Sequence, residues 1–299
     1  MSIDFQSRYL ALNASYGDPF SLALSQRGHY SEVNCLLAAM AYGLMKQRRL
    51  IVDETNFEGL RWQDLYASTL PGAPAEVIAA IDPEWAMLDL ATFRFGSIRR
   101  RVARRHRRRY PLWIAPLGLV CGLFPIMRLL ADAFCQPNPA APPPAIGLPA
   151  AFATFHIRRG DKVLGELVNG KRRPPEGENT AIARYLALLR EKAPALHAVQ
   201  LMTDDYGAVE ELRALAPDLQ VESLCPPAAR GYEQTEFSAS TVAKKLNQRR
   251  QLIAETELAI RSSLFIGGLQ SNVGRFIVLR HQNPRACISI DKQRSWYPG

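Results

Sequence analysis

The stretch AFATFHIRRGDK, Ala151 to Lys162, decides how the second half of this chain is read. Ala151 to His156 is an uninterrupted apolar and β-prone run and reads as a strand. Polarity then switches at once to two arginines, a glycine, an aspartate and a lysine, so the strand delivers its charge to one loop. The same alternation continues downstream. Helical patterns at Asn179 to Glu191, Tyr206 to Leu215, Ala243 to Ser262 and Asn272 to His281 separate strands at Val199 to Thr203, Leu219 to Leu224, Leu264 to Gly267 and Ala286 to Ile290. Strands alternating with helices imply a mostly parallel sheet covered on both faces. Ligands of such sheets bind outside the carboxyl ends of the strands. The three most polar motifs of this half each follow a strand: HIRRGDK (His156 to Lys162), TDD (Thr203 to Asp205) and QSN (Gln270 to Asn272).

Working outward, Pro137 to Pro144 reads as an extended linker. It divides an N-terminal α/β domain, 1–136, from a Rossmann-like domain, 149–299, with 137–148 between them. The first half opens on a glycine turn around Gly28. A helical pattern from Glu32 to Lys46 and a short buried strand from Arg49 to Asp53 follow. Residues 73 to 90 read as partly helical. No internal repeat is visible.

The 299 residues suffice for two domains that each bury a core, and 47% hydrophobic with 22% charged residues excludes disorder as the default. The formal net charge of +9 favours anionic partners. Nine arginines between Arg94 and Arg109 supply most of it. Five scattered cysteines without a CxxC pair argue against a disulfide framework or zinc knuckle. The N-terminus lacks a secretory pattern, and no run of eighteen apolar residues exists, so the expected location is the cytoplasm. The sequon at Asn13 is set aside on the same ground.

Arginine forks match phosphate oxygens and stay charged. A leaving diphosphate gains negative charge as its bond breaks, so fixed cations there favour the transition state. The alternative is a solvated basic turn paired with Asp161. Asp204 and Asp205 either address the crevice beyond their strand or cap the next helix. Their adjacency without a DxD spacing gives no reason to expect a metal. Ser271 and Asn272 either build an anion site at a helix N-terminus or simply cap it. Trp62 and Asp64 could line an acceptor; tryptophan is more often a core anchor.

HIRRGDKVLGE, His156 to Glu166, resembles the first donor-binding motif of the α-1,6-fucosyltransferases, the family of the core and rhizobial Nod-factor enzymes. LMTDD, Leu201 to Asp205, and LFIGGLQSNVGR, Leu264 to Arg275, resemble its later motifs, and Gly28-His29-Tyr30 its opening turn. The likeness covers 150 to 280 well, 25 to 65 weakly and 66 to 148 not at all. It implies a GT-B-like α/β fold of two Rossmann-like domains, a GDP-fucose donor, and inversion without a metal or other cofactor. On that likeness Arg158 holds the β-phosphate, and His156, Arg159, Asp161, Asp204, Asp205, Ser271, Asn272 and Gly28 shape the donor pocket. Glu166 is the base on the acceptor hydroxyl, held ionised by Lys162. Glu255 falls where the family reads guanine with an aspartate.

The acceptor is expected to be a glycan or a lipid-linked glycan. The arginine tract beside the apolar stretch Leu112 to Met127 reads as a peripheral membrane contact, at the inner membrane, rather than a specific nucleic-acid site. Two other readings stay open: a non-catalytic basic protein that binds nucleic acid or membrane, and a transferase for another GDP-sugar.

Overall fold

The computed structural model describes residues 2–25, 28–73, 112–114, 117–140, 146–160, 167–168, 171–172, 181–269 and 271–291. The arginine tract, Gln270, and the loop residues Asp161, Lys162 and Glu166 lie outside them, as does nearly all of the helical segment expected at 73–90. The chain forms two compact units, Met1–Ala141 and Pro142–Gly299, which part inside the proline-rich segment.

In the first unit, helix α1 (Ser2–Ser15) leads into strand β1 (Asp18–Ala23), helix α2 (His29–Lys46) and strand β2 (Arg48–Asp53). β1 and β2 pair in parallel from Asp18↔Arg48 to Ala23↔Asp53. This is a βαβ unit, with α2 as the crossover. α2 is apolar on most of its circumference and is buried accordingly. Gly43 lets it lie close to the strands: a Cβ there would stand 3.0 Å from the Arg48 carbonyl. Gln47, at φ 54°, ends the helix in the left-handed region, and its N–H returns to the Gly43 carbonyl. Asn13 of α1 acts as a strand surrogate on β2. Its amide donates to the Leu50 carbonyl at 2.9 Å and accepts from the Leu50 N–H at 2.8 Å. That bidentate, buried role removes the Asn13 sequon from consideration as a modification site.

A short hairpin, β3 (Leu112–Ile114) and β4 (Leu119–Cys121), turns at Gly118 with φ 64°. Helix α3 (Leu123–Phe134) follows and packs on α1 and α2. Pro125 sits in its first turn, where no intrahelical N–H bond is required, so the proline starts the helix instead of breaking it. Ile114, Leu117, Ile126 and Met127 are buried. These four residues of the apolar stretch belong to the core of this unit.

The second unit holds a five-stranded parallel sheet in the order β11-β10-β5-β8-β9. The strands are β5 (Ala153–Ile157), β8 (Ala198–Thr203), β9 (Gln220–Glu222), β10 (Leu264–Gly267) and β11 (Cys287–Ser289). Helices α4 (Ile182–Lys192), α5 (Tyr206–Leu215), α6 (Gln234–Ala239), α7 (Val242–Arg261) and α8 (Asn272–Arg280) connect them, and a two-residue pair, β6 (Leu167–Val168) and β7 (Lys171–Arg172), precedes α4. In order of appearance the five strands run 3-2-1-4-5, the doubly wound pattern that reverses between β5 and β10.

Side-chain alternation assigns the two faces. Ala153, Phe155, Ile157, Val199, Leu201, Leu264 and Ile266 pack with α4 and α5. Met202 and Phe265 pack with α7 and α8. Phe155 and Phe265 are both fully buried, each contributing about 1.5–3 kcal/mol of burial. On the α7 face a buried polar bridge fixes the helix: the Thr154 hydroxyl donates to the Gln200 amide oxygen at 2.8 Å, and Gln200 donates to the Glu255 carbonyl at 3.0 Å.

Candidate functional site

β5 and β10 are neighbours at the reversal point, with His156 opposite Gly267. A Cβ on Gly267 would stand 3.0 Å from the His156 Cβ and 2.8 Å from the Phe265 ring, so glycine makes room there. The Tyr185 hydroxyl donates to the His156 carbonyl at 3.0 Å. Burial, and next the Arg158 charge, lower the imidazole pKa to about 4. The ring is therefore neutral near pH 7. Its Nδ1 is buried and has no hydrogen-bond partner among the described residues.

Asp204, just past β8, organises the loop that leaves β5. Its carboxylate accepts from the backbone N–H groups of Arg159 at 2.7 Å, Gly160 at 3.2 Å and Tyr232 at 3.1 Å. Two loops far apart in sequence thus converge on one anion, and their closeness demands glycines. A Cβ on Gly160 would lie 2.3 Å from the Tyr232 nitrogen, and Gly231, at φ +103°, approaches Gly160 in turn. Arg158 completes the cluster, its Nε 3.8 Å from Asp204 Oδ2 and its guanidinium 4.9 Å from the Tyr232 ring centroid. Its side chain is 37% exposed. Arg158 thus stands at a ligand-accessible edge with its orientation set by a carboxylate and an aromatic face.

Arg159 behaves differently. Its Nη1 lies 3.6 Å from Asp205, and its Nη2 donates to Glu211 of α5. Its fork braces the start of α5. Asp205 is the N-cap of that helix, accepting from the Gly207 N–H at 3.1 Å. Both outcomes follow from strand alternation carried past the last paired residue. Arg158 and Asp204 continue the α7 face, and Arg159 and Asp205 the α5 face.

Beyond β10, Ser271 caps α8. Its hydroxyl accepts from the Gly274 N–H at 2.9 Å and donates its single proton to the Gly268 carbonyl at 2.8 Å. What remains is the helix N-terminus itself, opening at Asn272 beside the same edge. A Cβ on Gly274 would stand 2.2 Å from the Gly268 carbonyl, so glycine lets α8 start this close to the sheet.

Glu255 of α7 is buried, 5% exposed. Burial raises its pKa to about 8; the Gln251 amide, donating at 3.3 Å, works against this, and the Asp204 charge adds to it. Near pH 7 the group is mostly protonated, so accepting two N–H bonds from a guanine requires it to lose its proton. Cys225 is a neighbour, and burial followed by the Glu255 charge pushes its thiol up to about 12.

In the first unit, Trp62 is fully buried. Its indole N–H donates to the Ser68 hydroxyl at 2.8 Å and is 3.2 Å from the Phe134 carbonyl. It anchors the core of this unit. Asp64 accepts from the Arg61 N–H at 2.7 Å and closes a 3-10 turn, Trp62–Asp64. Gly28 precedes α2 with φ −56° and open space where a Cβ would be. Among the described residues, no cluster of three or more His, Cys, Asp or Glu could hold a metal ion.

Tyr232, Phe237, Lys245 and Arg249 escaped the sequence reading. They follow β9 in a segment without a recognisable motif. Only the wrap of that segment back to Asp204 brings them to the edge.

A doubly wound parallel sheet with a basic loop at its reversal point defines a GT-B-like α/β protein. The solved structures agree. Fucosyltransferase NodZ from Bradyrhizobium, in selenomethionine form, matches with a TM-score of 0.53 at 12% identity, covering 94% of this chain and 97% of that one. NodZ α-1,6-fucosyltransferase soaked with GDP-fucose matches at 0.51 and 13%, again over 94% and 97%. The same enzyme co-crystallised with GDP gives 0.51 and 12%, over 92% and 95%. No family model matches the sequence, and no curated protein matches it significantly. At such identities the likeness defines the fold.

Proposed function

We propose that the chain is an inverting glycosyltransferase that transfers fucose from GDP-fucose to a glycan, without a metal. The observation that carries this is Arg158. Its guanidinium stands at the carboxyl end of β5, at the sheet's reversal point, 3.8 Å from Asp204 and beside a neutral histidine. There it would neutralise the departing diphosphate, assisted by the N-terminus of α8. Asp204 sets the loop geometry, and Glu255, once deprotonated, would read guanine through its N–H groups. On the motif resemblance, Glu166 takes the acceptor proton late in bond formation, with Lys162 keeping it ionised. The fold shared with NodZ structures soaked with GDP-fucose and co-crystallised with GDP supports the choice of donor.

The test is a titration of GDP and GMP followed by thermal unfolding. Wild type should be stabilised by GDP more than by GMP, with a gain of about 2.7 kcal/mol at a hundredfold excess over Kd. Arg158→Ala should lose most of the preference. Equal response to both nucleotides, or an Arg158→Ala variant that binds GDP as wild type does, refutes the assignment. A panel of GDP- and UDP-sugars then identifies the sugar by donor hydrolysis.

A further inference from the structure

A carboxyl group that reads a base must hold both oxygens toward two N–H groups at once. Glutamate has a long, rotatable side chain, and that freedom has to be lost before the fork forms. In Glu255 two amides remove it in advance. From the sheet, Gln200 of β8 donates to the Glu255 backbone carbonyl at 3.0 Å. From the helix, Gln251 stands one turn earlier on the same face of α7, and its Nε2 donates to Glu255 Oε1 at 3.3 Å. The same Nε2 donates to the Leu224 carbonyl, in the loop after β9, at 3.0 Å. An amide nitrogen carries two hydrogens, and here each has its own acceptor.

The Leu224 carbonyl is itself a fixed point. Its neighbour Ser223 donates its hydroxyl to the Leu201 carbonyl of β8 at 2.7 Å and accepts from the Cys225 N–H at 3.1 Å. The loop therefore rides on the sheet, and Gln251 joins that loop to the carboxyl group. Glu255 Oε2 has no hydrogen-bond partner among the described residues, so one oxygen is braced while the other is left for a ligand. Two titratable groups face the carboxyl from other elements: Asp204, beyond β8, and the Cys225 thiol, beyond β9. Burial opposes ionisation of Glu255 most, the Gln251 amide favours it, and the Asp204 charge opposes it. A donated N–H bond is stronger to a carboxylate than to the neutral acid, which is why Gln251 acts in that direction. The thiol, pushed up to about 12, adds no charge near pH 7.

We infer that Gln251 is a positioning residue for base recognition: its amide, shared between the Leu224 carbonyl and Glu255, holds the carboxyl group in the orientation that accepts from the ring N–H and the exocyclic amine of guanine. This rests on the reading of Glu255 as the base-contacting group. Gln251 touches no reacting atom and acts through Glu255 alone. Its influence is therefore confined to the base. Inosine diphosphate differs from GDP only by lacking the exocyclic amine, so the ratio of their affinities counts the second bond of the fork. The ratio of GDP to GMP affinity counts the diphosphate, which belongs to Arg158. Gln251 should control the first ratio and leave the second alone.

The experiment is calorimetric titration of the full chain with GDP, inosine diphosphate and GMP at pH 8.5, where Glu255 is mostly ionised. Wild type should prefer GDP over inosine diphosphate by about tenfold or more, the value of one hydrogen bond to a charged group. Gln251→Met keeps the stem without its donors and should bring that preference below about threefold, with the GDP-to-GMP ratio within about twofold of wild type. Gln251→Lys supplies donors again and should keep the preference. Repeated between pH 6 and pH 9, the midpoint of the rise in GDP affinity should move up by roughly half a unit in Gln251→Met and down in Gln251→Lys. A packing defect does not shift the two variants in opposite directions. A Gln251→Met variant with wild-type discrimination, or midpoints that move the same way in both variants, overturns the role. Glu255→Gln tests the underlying reading and should abolish the preference for GDP. If it does so while Gln251→Met does not, the inference about Gln251 fails by itself. If wild type treats GDP and inosine diphosphate alike, or Glu255→Gln keeps the preference, Glu255 is not the base reader and Gln251 falls with it, while the assignment of Arg158 still stands or falls on the GDP-to-GMP ratio.

Discussion

Replacing Asp204 removes the one carboxylate on which two loops converge. Asp204→Ala leaves the N–H groups of Arg159, Gly160 and Tyr232 without their acceptor. A donor stranded in a fully buried site costs about 1–3 kcal/mol. The Asp204 side chain is 16% exposed, so water recovers part of the loss. Roughly 1 kcal/mol for each donor gives about 3 kcal/mol for the unit 142–299. Asp204→Asn is nearly isosteric, yet one arm of its amide is a donor. Whichever way that amide turns, an NH2 faces at least one backbone N–H, and about 2 kcal/mol should be lost. Asp205→Ala removes one N-cap bond and the 3.6 Å ion pair with Arg159, and serves as the control, at about 1 kcal/mol. Urea unfolding followed by far-ultraviolet circular dichroism gives the three values. The expected order is Asp204→Ala, then Asp204→Asn, then Asp205→Ala, and GDP binding should weaken in the first two because Arg158 loses its frame. Asp204 variants within about 0.5 kcal/mol of wild type, or less damaging than Asp205→Ala, would refute the view of Asp204 as the clamp.

Two further outcomes follow from buried groups. Glu255 has its pKa raised from 4.5 to about 8. Between those values the folded chain keeps a proton that the unfolded chain releases, so stability should fall as pH rises through this window, by up to about 1.4 kcal/mol per pH unit. Glu255→Gln should flatten that slope and match wild type near pH 4.5, while GDP affinity, which needs the ionised form, should rise toward pH 8 in wild type alone; a slope unchanged in the variant excludes Glu255 as its origin. Trp62→Phe, measured by chemical denaturation, should cost about 2 kcal/mol through the cavity left by the smaller ring and the lost indole hydrogen bond, since the Ser68 hydroxyl keeps its bond to the Phe134 carbonyl; GDP binding should not change, and a stability equal to wild type would contradict its place as a core anchor.

Periodicity made most of the second unit legible. The strands at β5, β8 and β10 and the helices α5, α7 and α8 lie within a few residues of where apolar spacing places them. The first unit was less readable. β1 carries Pro19, which argues against a strand unless it lies at an edge, and α3 carries Pro125, harmless only because it falls in the first turn. Neither proline announces which case applies. α1 shows no strong apolar stripe, and its key contact, Asn13 with Leu50, reaches 37 residues along the chain.

By itself, the sequence determined that a parallel α/β sheet would present a basic loop, an acidic pair and a helix start at its carboxyl edge, because these properties depend on spacing along one strand and the next. Tertiary structure alone decided which member of each pair is available. Arg158 and Arg159 are neighbours in sequence, yet one faces Tyr232 and the other is locked to α5. Asp204 and Asp205 divide in the same way between clamp and cap. The partners that make the difference, Glu211 and Tyr232 for the arginines and Tyr232 again for Asp204, come from segments 28 to 74 residues away. Charge and hydrogen bonds act over a few ångströms in space, so only the folded path of the chain selects among them.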